Sequence, residues 1–298
     1  MIVTGWRSTP RYSSERIGCI RPAIVEAIVA LPHPSPEGTA LVTGASSGIG
    51  RELARQLAGR GHGVTLVARR VEQLEALADE IAVHGVRVEV LPTDLLDRAE
   101  RAALPDRLDD LGLRVDLLIN NAGLSTMGPV HRSDPGAEMS MVELDVVTVV
   151  DLCSRFLPGM VERRRGAVLN VASTAAFQPL PGQAAYGASK AFVLSYTRSL
   201  GGELRGTGIS TTALCPGPVD TGFAEVAGIS QHDAERAMPS FMWESAQDVA
   251  RAGLDALAAG HPVVIPGRAN WAAANLSHLM PKRLLVPILA SQHPGLKD

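Results

Sequence analysis

Tyr186 and Lys190 stand four positions apart, and Ser173 lies thirteen positions before the tyrosine. On a helix, residues four apart share one face a turn from each other. Such a set can pass a proton to or from a carbonyl oxygen. Free tyrosine has a pKa of about 10 and is a poor base near neutrality. A neighbouring ammonium, helped by a cationic cofactor, would stabilise the phenolate and lower that pKa, each unit being worth about 1.4 kcal/mol. Ser173 follows the apolar run Ala167–Val171, so a strand would deliver it to its carboxyl end, where open α/β sheets keep their sites. There it could hold the substrate oxygen while Tyr186 supplies or accepts the proton, help typically worth about 10² to 10⁴ in rate. In isolation the pair reads as an aromatic beside a solvated lysine; its place downstream of a glycine-rich turn gives it weight.

That turn is Thr43-Gly-Ala-Ser-Ser-Gly-Ile-Gly50. Glycines at Gly44, Gly48 and Gly50 remove side chains that would block a tight strand-to-helix turn. They also let the backbone approach a pyrophosphate at the helix's positive end. The same residues satisfy a second pattern, because Gly44-Ala-Ser46-Ser-Gly48 matches the strand–turn–helix elbow of a hydrolase serine. Two features oppose a Ser46 nucleophile. The turn follows the first strand rather than lying deep in the sheet. His261, His278 and His293 stand before the last strand or in the tail, where none is placed as its base.

These residues need a scaffold, and the chain supplies one. Its 298 residues combine 46% hydrophobic with 4% aromatic content, an α/β composition too apolar for disorder. Seven apolar runs predict buried parallel strands: Ala40–Thr43, Val64–Ala68, Val86–Leu91, Val115–Ile119, Ala167–Val171, Ile209–Leu214 and Pro262–Ile265. Between them lie helical periods, as at Leu74, Leu77 and Ile81, and the first turn leads into a helix over Arg51–Ala58. The expectation is an α/β, Rossmann-like, doubly wound sheet of seven mostly parallel strands flanked by helices. Residues 1–37 read as an extension ending in a Pro-rich linker, with one short helix near 22–31. Residues 38–270 form the dinucleotide-binding catalytic domain, and 271–298 an apolar tail.

With these motifs in this order, the chain resembles a short-chain dehydrogenase/reductase over residues 39 to about 267. Asp94, Asn120-Asn-Ala-Gly123 and Pro216-Gly-Pro-Val-Asp-Thr221 complete the match. The resemblance implies cofactor contacts from Gly44, Ser46, Ser47, Gly48, Ile49 and Gly50. It adds Asp94 and Leu95 at the adenine, and Asn121, Ala122 and Gly123 at the end of the fourth strand. Tyr186 and Lys190 touch the cofactor as well as catalysing, and Pro216, Gly217, Val219 and Thr221 meet the nicotinamide carboxamide. One position departs from the pattern. The family usually carries a proton-relay asparagine where this chain has Asp145. An ionised carboxylate only accepts hydrogen bonds, so it cannot replace the amide donor, but it could pair with Lys190 and raise that lysine's pKa. Retained but altered activity is expected, with Ser173, Tyr186, Lys190 and Asp145 as the catalytic set.

Members that take NAD normally carry an acid where Ala68 stands; here Arg69 and Arg70 follow it, so NADP(H) is preferred and NAD(H) remains possible. Cofactor binding without catalysis, as a pure NADP-binding module, is the alternative reading beside the Ser46 hydrolase. The segment Gly222–Trp243 carries Phe223, Ile229, Met238, Phe241, Met242 and Trp243, suggesting an apolar lid and a hydrophobic carbonyl or alcohol substrate. The tail is expected to pack on its own domain or a partner rather than a membrane surface, with Pro281 and Pro287 breaking helicity. A formal charge of -3 argues against a nucleic-acid binder. The separated Cys19, Cys153 and Cys215 argue against a metal or disulfide framework. A cytoplasmic homo-oligomer is the remaining expectation.

Overall fold

A computed structural model describes residues 31–221 and 239–296. The expected helix near 22–31 and most of the lid segment, with Phe223, Ile229 and Met238, fall outside the described residues. Seven strands form one sheet: β1 Gly38–Thr43, β2 Gly63–Ala68, β3 Val88–Pro92, β4 Arg114–Asn120, β5 Gly166–Val171, β6 Ile209–Leu214 and β7 Val263–Val264. Their order is β3-β2-β1-β4-β5-β6-β7, and every neighbouring pair is parallel. The order reverses between β1 and β4. The crevice at their carboxyl ends is where such sheets bind ligands.

Strand alternation assigns the two faces. Ala40, Val42, Leu117 and Ile119 pack with Leu53 and Leu57 of helix α1 (Gly48–Gly59), with Leu74 and Leu77 of α2 (Val71–Ile81), and with a later helix. Leu41, Val115 and Leu118 point the other way, into the second cluster. That cluster takes in Leu104 and Leu108 of the short helix α4 (Leu104–Asp110), which follows α3 (Arg98–Ala102) between β3 and β4. With apolar neighbours on both faces the sheet is covered on both sides, the alternation being broken in β4 between Val115 and Leu117, where its register against β1 shifts.

Between β4 and β5 the chain is helical from α5 (Pro135–Val142) to α6 (Thr148–Glu162), interrupted by one wide turn at Glu143–Val147. There the Thr148 N–H reaches the Glu143 carbonyl, five residues back, the spacing of a π turn, which recurs at functional sites. Helix α7 (Ala184–Glu203) follows β5. Helix α8 (Ala246–Ala258), capped by Ser245 on Asp248 N–H, is the later helix of the first face and places Val249, Leu254 and Leu257 against the sheet.

The last strand is shorter than Pro262–Ile265 because it lies at the sheet edge, paired to β6 alone, and Pro262 has no N–H to donate. Helix α9 (Arg268–Leu279) crosses the expected boundary at 270 and leads into α10 (Lys282–Gln292). Pro281 does separate the two helices, but Pro287 lies inside α10 rather than ending it. At the sixth position of this 11-residue helix its missing N–H forfeits one backbone bond. Among the described residues no helix is long and apolar enough to cross a membrane.

Candidate active site

The glycine turn joins β1 to α1 at the crevice. Gly44 and Gly48 have φ of 66° and 56°, left-handed values that an L side chain rarely adopts. A Cβ on Gly44 would also meet Asn121 and Ala122, and one on Gly48 would meet Thr221. Asn121 anchors the turn from the next strand: its Nδ2 donates to the Thr43 carbonyl at 2.9 Å, while Thr43 Oγ1 accepts the N–H groups of Asn121 and Ala122. The loop carrying Pro216, Gly217, Val219 and Thr221 closes over the turn from β6. Val219 pairs with Glu244, and the Pro216 carbonyl accepts Thr174 N–H at 2.8 Å.

Ser47 is the residue before α1, but its hydroxyl does not cap the helix. Arg70 Nη2 donates to Ser47 Oγ at 2.7 Å and to Ser46 Oγ at 2.9 Å, with Nε adding a contact to Ser46 at 3.2 Å. The first-turn N–H groups therefore face the crevice beside a guanidinium fork and two hydroxyls, a donor set matched to phosphate. Both arginines are exposed at the strand end, and of the two it is Arg70 that turns back to the serines of the glycine turn. The same contacts remove the hydrolase reading of Ser46, because a nucleophilic serine needs a base to take its proton, and a guanidinium is not one. Asp94 and Leu95 lie just past β3; the Asp94 carboxylate accepts Leu96 N–H at 3.0 Å, and Leu95 is buried with its carbonyl held by Arg101.

Ser173 leads from β5 into a short 3-10 turn over Thr174–Phe177. Its Oγ accepts Ala175 N–H at 3.1 Å and is hydrogen-bonded to the Tyr186 phenol. Lys190 lies one turn further along α7, its Nζ 5.6 Å from the Tyr186 ring centre, donating to the Val171 carbonyl at 3.3 Å. Its ammonium also pairs with Asp145 Oδ2 at 3.0 Å, both side chains being buried. The wide turn at Glu143–Val147 carries Asp145 inward, where its other oxygen accepts Leu124 N–H at 2.7 Å. Gly123 is the close-approach point, since a Cβ there would crowd both Asp145 and Lys190.

The electrostatics differ from the simple Tyr–Lys expectation. Burial pushes the Tyr186 phenol up, and Lys190 and Ser173 only partly offset it, while the Asp145 carboxylate pushes in the same direction as burial. In the chain by itself the phenol is therefore held protonated. Lys190 shifts up despite its burial, because Asp145 and the phenol favour the ammonium. Burial raises the Asp145 carboxyl, with Lys190 and the Leu124 amide pulling it back.

The seven-stranded order, the glycine turn and this Ser–Tyr–Lys cluster coincide with a match to short chain dehydrogenases over residues 38–231. The chain belongs to the short chain dehydrogenase family. It is similar to an uncharacterized oxidoreductase of Myxococcus xanthus, 41% identical over 179 residues, covering 60% of this chain and 71% of that one. It is 37% identical over 183 residues to the NADP-dependent 3-hydroxy acid dehydrogenase of Salmonella typhi, covering 60% and 71% of the two chains. Among solved structures, a Sphingobium yanoikuyae short-chain dehydrogenase in complex with NADPH superposes with a TM-score of 0.70. That structure is 32% identical and the match covers 84% of this chain and 95% of the other. The chain is thus an oxidoreductase of this family.

The sequence did not single out three parts of this short chain dehydrogenase site. Asn170 of β5 accepts Asn120 Nδ2 at 2.8 Å and donates to Thr197 at 2.9 Å, tying together β4, β5 and α7, which carries Tyr186 and Lys190. Gln183, just before α7, donates to Ser125 at 2.7 Å, and Asn270, fully buried, packs on Gly217 and donates to the Met242 carbonyl at 3.0 Å. Polar residues on apolar strands were the available signal for Asn120 and Asn170; nothing local marks the others. Of the expected lid, Phe241 is exposed and Met242 and Trp243 are half-buried. A groove of about 550 Å³ lies along Phe177, Pro179, Leu180, Ala188 and Lys282. Neither Ser173 nor Tyr186 lines it.

Proposed function

We propose that this chain is an NADP(H)-dependent reductase or dehydrogenase of a hydrophobic carbonyl or secondary alcohol. The observation that carries the reading is Ser173 hydrogen-bonded to a Tyr186 phenol with the Lys190 ammonium 5.6 Å from its ring, beside a glycine turn bearing an arginine–serine anion site. Those residues fit a dinucleotide. Positive-φ glycines leave room for its pyrophosphate at the start of α1, and Arg70 with Ser46 and Ser47 offers charge and donors to a ribose phosphate. Ile49 and Gly50 extend the pyrophosphate side, Asp94 and Leu95 would border the adenine, and Asn121, Ala122 and Gly123 would line the middle. Pro216, Gly217, Val219 and Thr221 would meet the nicotinamide. When bound, NADP(H) supplies or accepts the hydride. An absent acid at Ala68 leaves NAD(H) as the weaker ligand, and the NADPH complex of the Sphingobium relative and the NADP dependence of the Salmonella one support that order.

In the reducing direction Ser173 holds the carbonyl oxygen and Tyr186 donates its proton to it, a direction suited to a phenol held protonated. Lys190 then stabilises the phenolate left behind. Asp145 sets how far, by holding the ammonium in place while adding a negative charge of its own. The apolar residues Phe241, Met242 and Trp243 at the end of the lid segment support a hydrophobic substrate. Self-association is part of the same reading, supported by Phe192 of α7, which is exposed and stacked on Tyr196.

The test is turnover of alkyl and aryl ketones with NADPH by purified protein, beside Tyr186→Phe. The variant should lose about 10² to 10⁴ in rate while keeping NADPH affinity. Failure of the wild type to bind NADPH or NADH, or full activity in Tyr186→Phe, would overturn it.

A further inference from the structure

The loops after β4 and β5 meet at the mouth of the site and are tied together twice. Gly128 N–H donates to the Gly182 carbonyl at 2.8 Å, and Gln183 Nε2 donates to Ser125 Oγ at 2.7 Å. Both ties sit close to the chemistry. Gln183 is three residues before Tyr186, and Ser125 follows Leu124, whose N–H holds Asp145. A third segment, far away in sequence, rests on this joint. Beyond α10, His293 Nε2 lies 3.1 Å from Gln183 Oε1, and its Nδ1 accepts Gly295 N–H at 3.2 Å. An Nδ1 that accepts fixes the tautomer, so Nε2 carries the proton and donates to Gln183, and this in turn directs the Gln183 amide nitrogen to Ser125.

The packing agrees with the hydrogen bonds. A Cβ on Gly182 would collide with the His293 ring, and one on Gly295 would collide with Met127 and crowd the Gly128 amide. Gly182 also has a φ of 87°, so its backbone is shaped to leave the ring its place. The segment arrives there on a fastened support: Lys282 of α10 donates to the Ser277 carbonyl at 2.9 Å, and the Ser277 hydroxyl of α9, which donates to the Ala274 carbonyl at 2.8 Å, lies 3.2 Å from the Phe177 carbonyl. Burial holds the His293 imidazole toward its neutral form, the form these bonds require.

We infer that residues 293–296 form a strap over the substrate end of the site, with His293 a positioning residue that acts through Gln183 to hold the two substrate-side loops together. The inference deepens the reductase reading and rests on it for the identity of the substrate end. A strap of this kind controls substrate fit rather than the proton step. It touches neither Ser173 nor Tyr186, nor the arginine–serine site.

Three variants test it: His293→Ala, Gly295→Val, and a chain ending at residue 292. Each is compared with the wild type and with His293→Gln, whose amide can keep a donor near the Nε2 position. Two readouts are used. Amide hydrogen exchange should quicken at Gly128 by about tenfold or more in all three, with partial recovery in His293→Gln. In NADPH-dependent reduction of aryl ketones, KM should rise about three- to tenfold with kcat and NADPH affinity within about twofold. Unchanged exchange at Gly128 in His293→Ala and in the shortened chain would overturn the strap. Faster exchange with unaltered KM across the ketones would overturn its role in substrate fit. If the wild type reduces no ketone, the reductase reading fails, and hydrogen exchange still decides whether the strap holds the loops.

Discussion

Replacing Arg70 by alanine should weaken NADPH binding by about 30- to 150-fold and leave NADH binding within about twofold. The magnitude follows from the contacts. Arg70 presents Nε and Nη2 to the hydroxyls of Ser46 and Ser47 at 2.7 to 3.2 Å. These are bonds to neutral acceptors, worth about 0.5–1.5 kcal/mol each, whereas bonds to a phosphate are charge-assisted and worth about 1.5–3 kcal/mol each. Two such bonds, less the neutral ones they displace and the screening felt by an exposed side chain, leave about 2–3 kcal/mol. At about 1.4 kcal/mol per factor of ten this is the stated loss. The two serines already hold the fork in place, so little ordering entropy opposes the gain. Nicotinamide fluorescence titrations at about 0.05 M and 0.15 M salt measure it, and the gap between NADPH and NADH should widen at the lower salt. Arg69→Ala is the comparison, expected to change NADPH affinity less than about threefold. A loss below about threefold in Arg70→Ala, or a larger effect from Arg69, would refute the assignment of the phosphate to the Arg70–Ser46–Ser47 site.

Four further outcomes are expected. Asp145→Asn removes a negative charge that holds the Tyr186 phenol up, so the rising limb of alcohol oxidation against pH should move to lower pH; an unmoved limb would exclude Asp145 from the proton step. Asp145→Ala, which also strands the buried Lys190 ammonium and the Leu124 amide, should cost about 3–5 kcal/mol in denaturant unfolding, and Asp145→Asn less because its amide oxygen still accepts the Leu124 N–H. Glu80 of α2 is held by Arg55 and Arg51 of α1, which bring its pKa down from 4.5 to about 2. Its folded value lies below the unfolded one, so its stabilisation is present above pH 4.5 and is lost as pH falls toward about 2. The groups are about a third exposed, so Glu80→Gln should cost less than about 1 kcal/mol near neutrality, and the difference from wild type should vanish near the lower pH. Burial pushes the Cys153 and Cys215 thiols up to about 12, so both should resist iodoacetamide at neutral pH in the native protein and react in guanidinium; native labelling of either, read by mass spectrometry of its peptide, would contradict the packing.

Much of this architecture is legible along the chain. Apolar runs of four to six residues between helical periods are local patterns, and they marked all seven strands, with the greatest error in the bounds of β3, one of the two edge strands, where pairing is on one side only. The glycine turn and the Tyr186–Lys190 spacing are local as well, because a tight turn and one helical turn are decided by residues a few positions apart. What required the tertiary structure is every contact between segments distant in sequence. Choosing Arg70 over Arg69 depended on which side chain turns back across the sheet edge to Ser46, 24 positions earlier. The upward shift of Tyr186 needed the depth at which α7 is buried and the inward aim of Asp145 from the wide turn between α5 and α6. The His293–Gln183 contact joins residues 110 positions apart. The residue types and short spacings of this sequence determined the fold class and the kind of chemistry. Which charges face one another, and which loops are held shut, was decided only by folding, since electrostatic and packing terms act through distance in space and not through order along the chain.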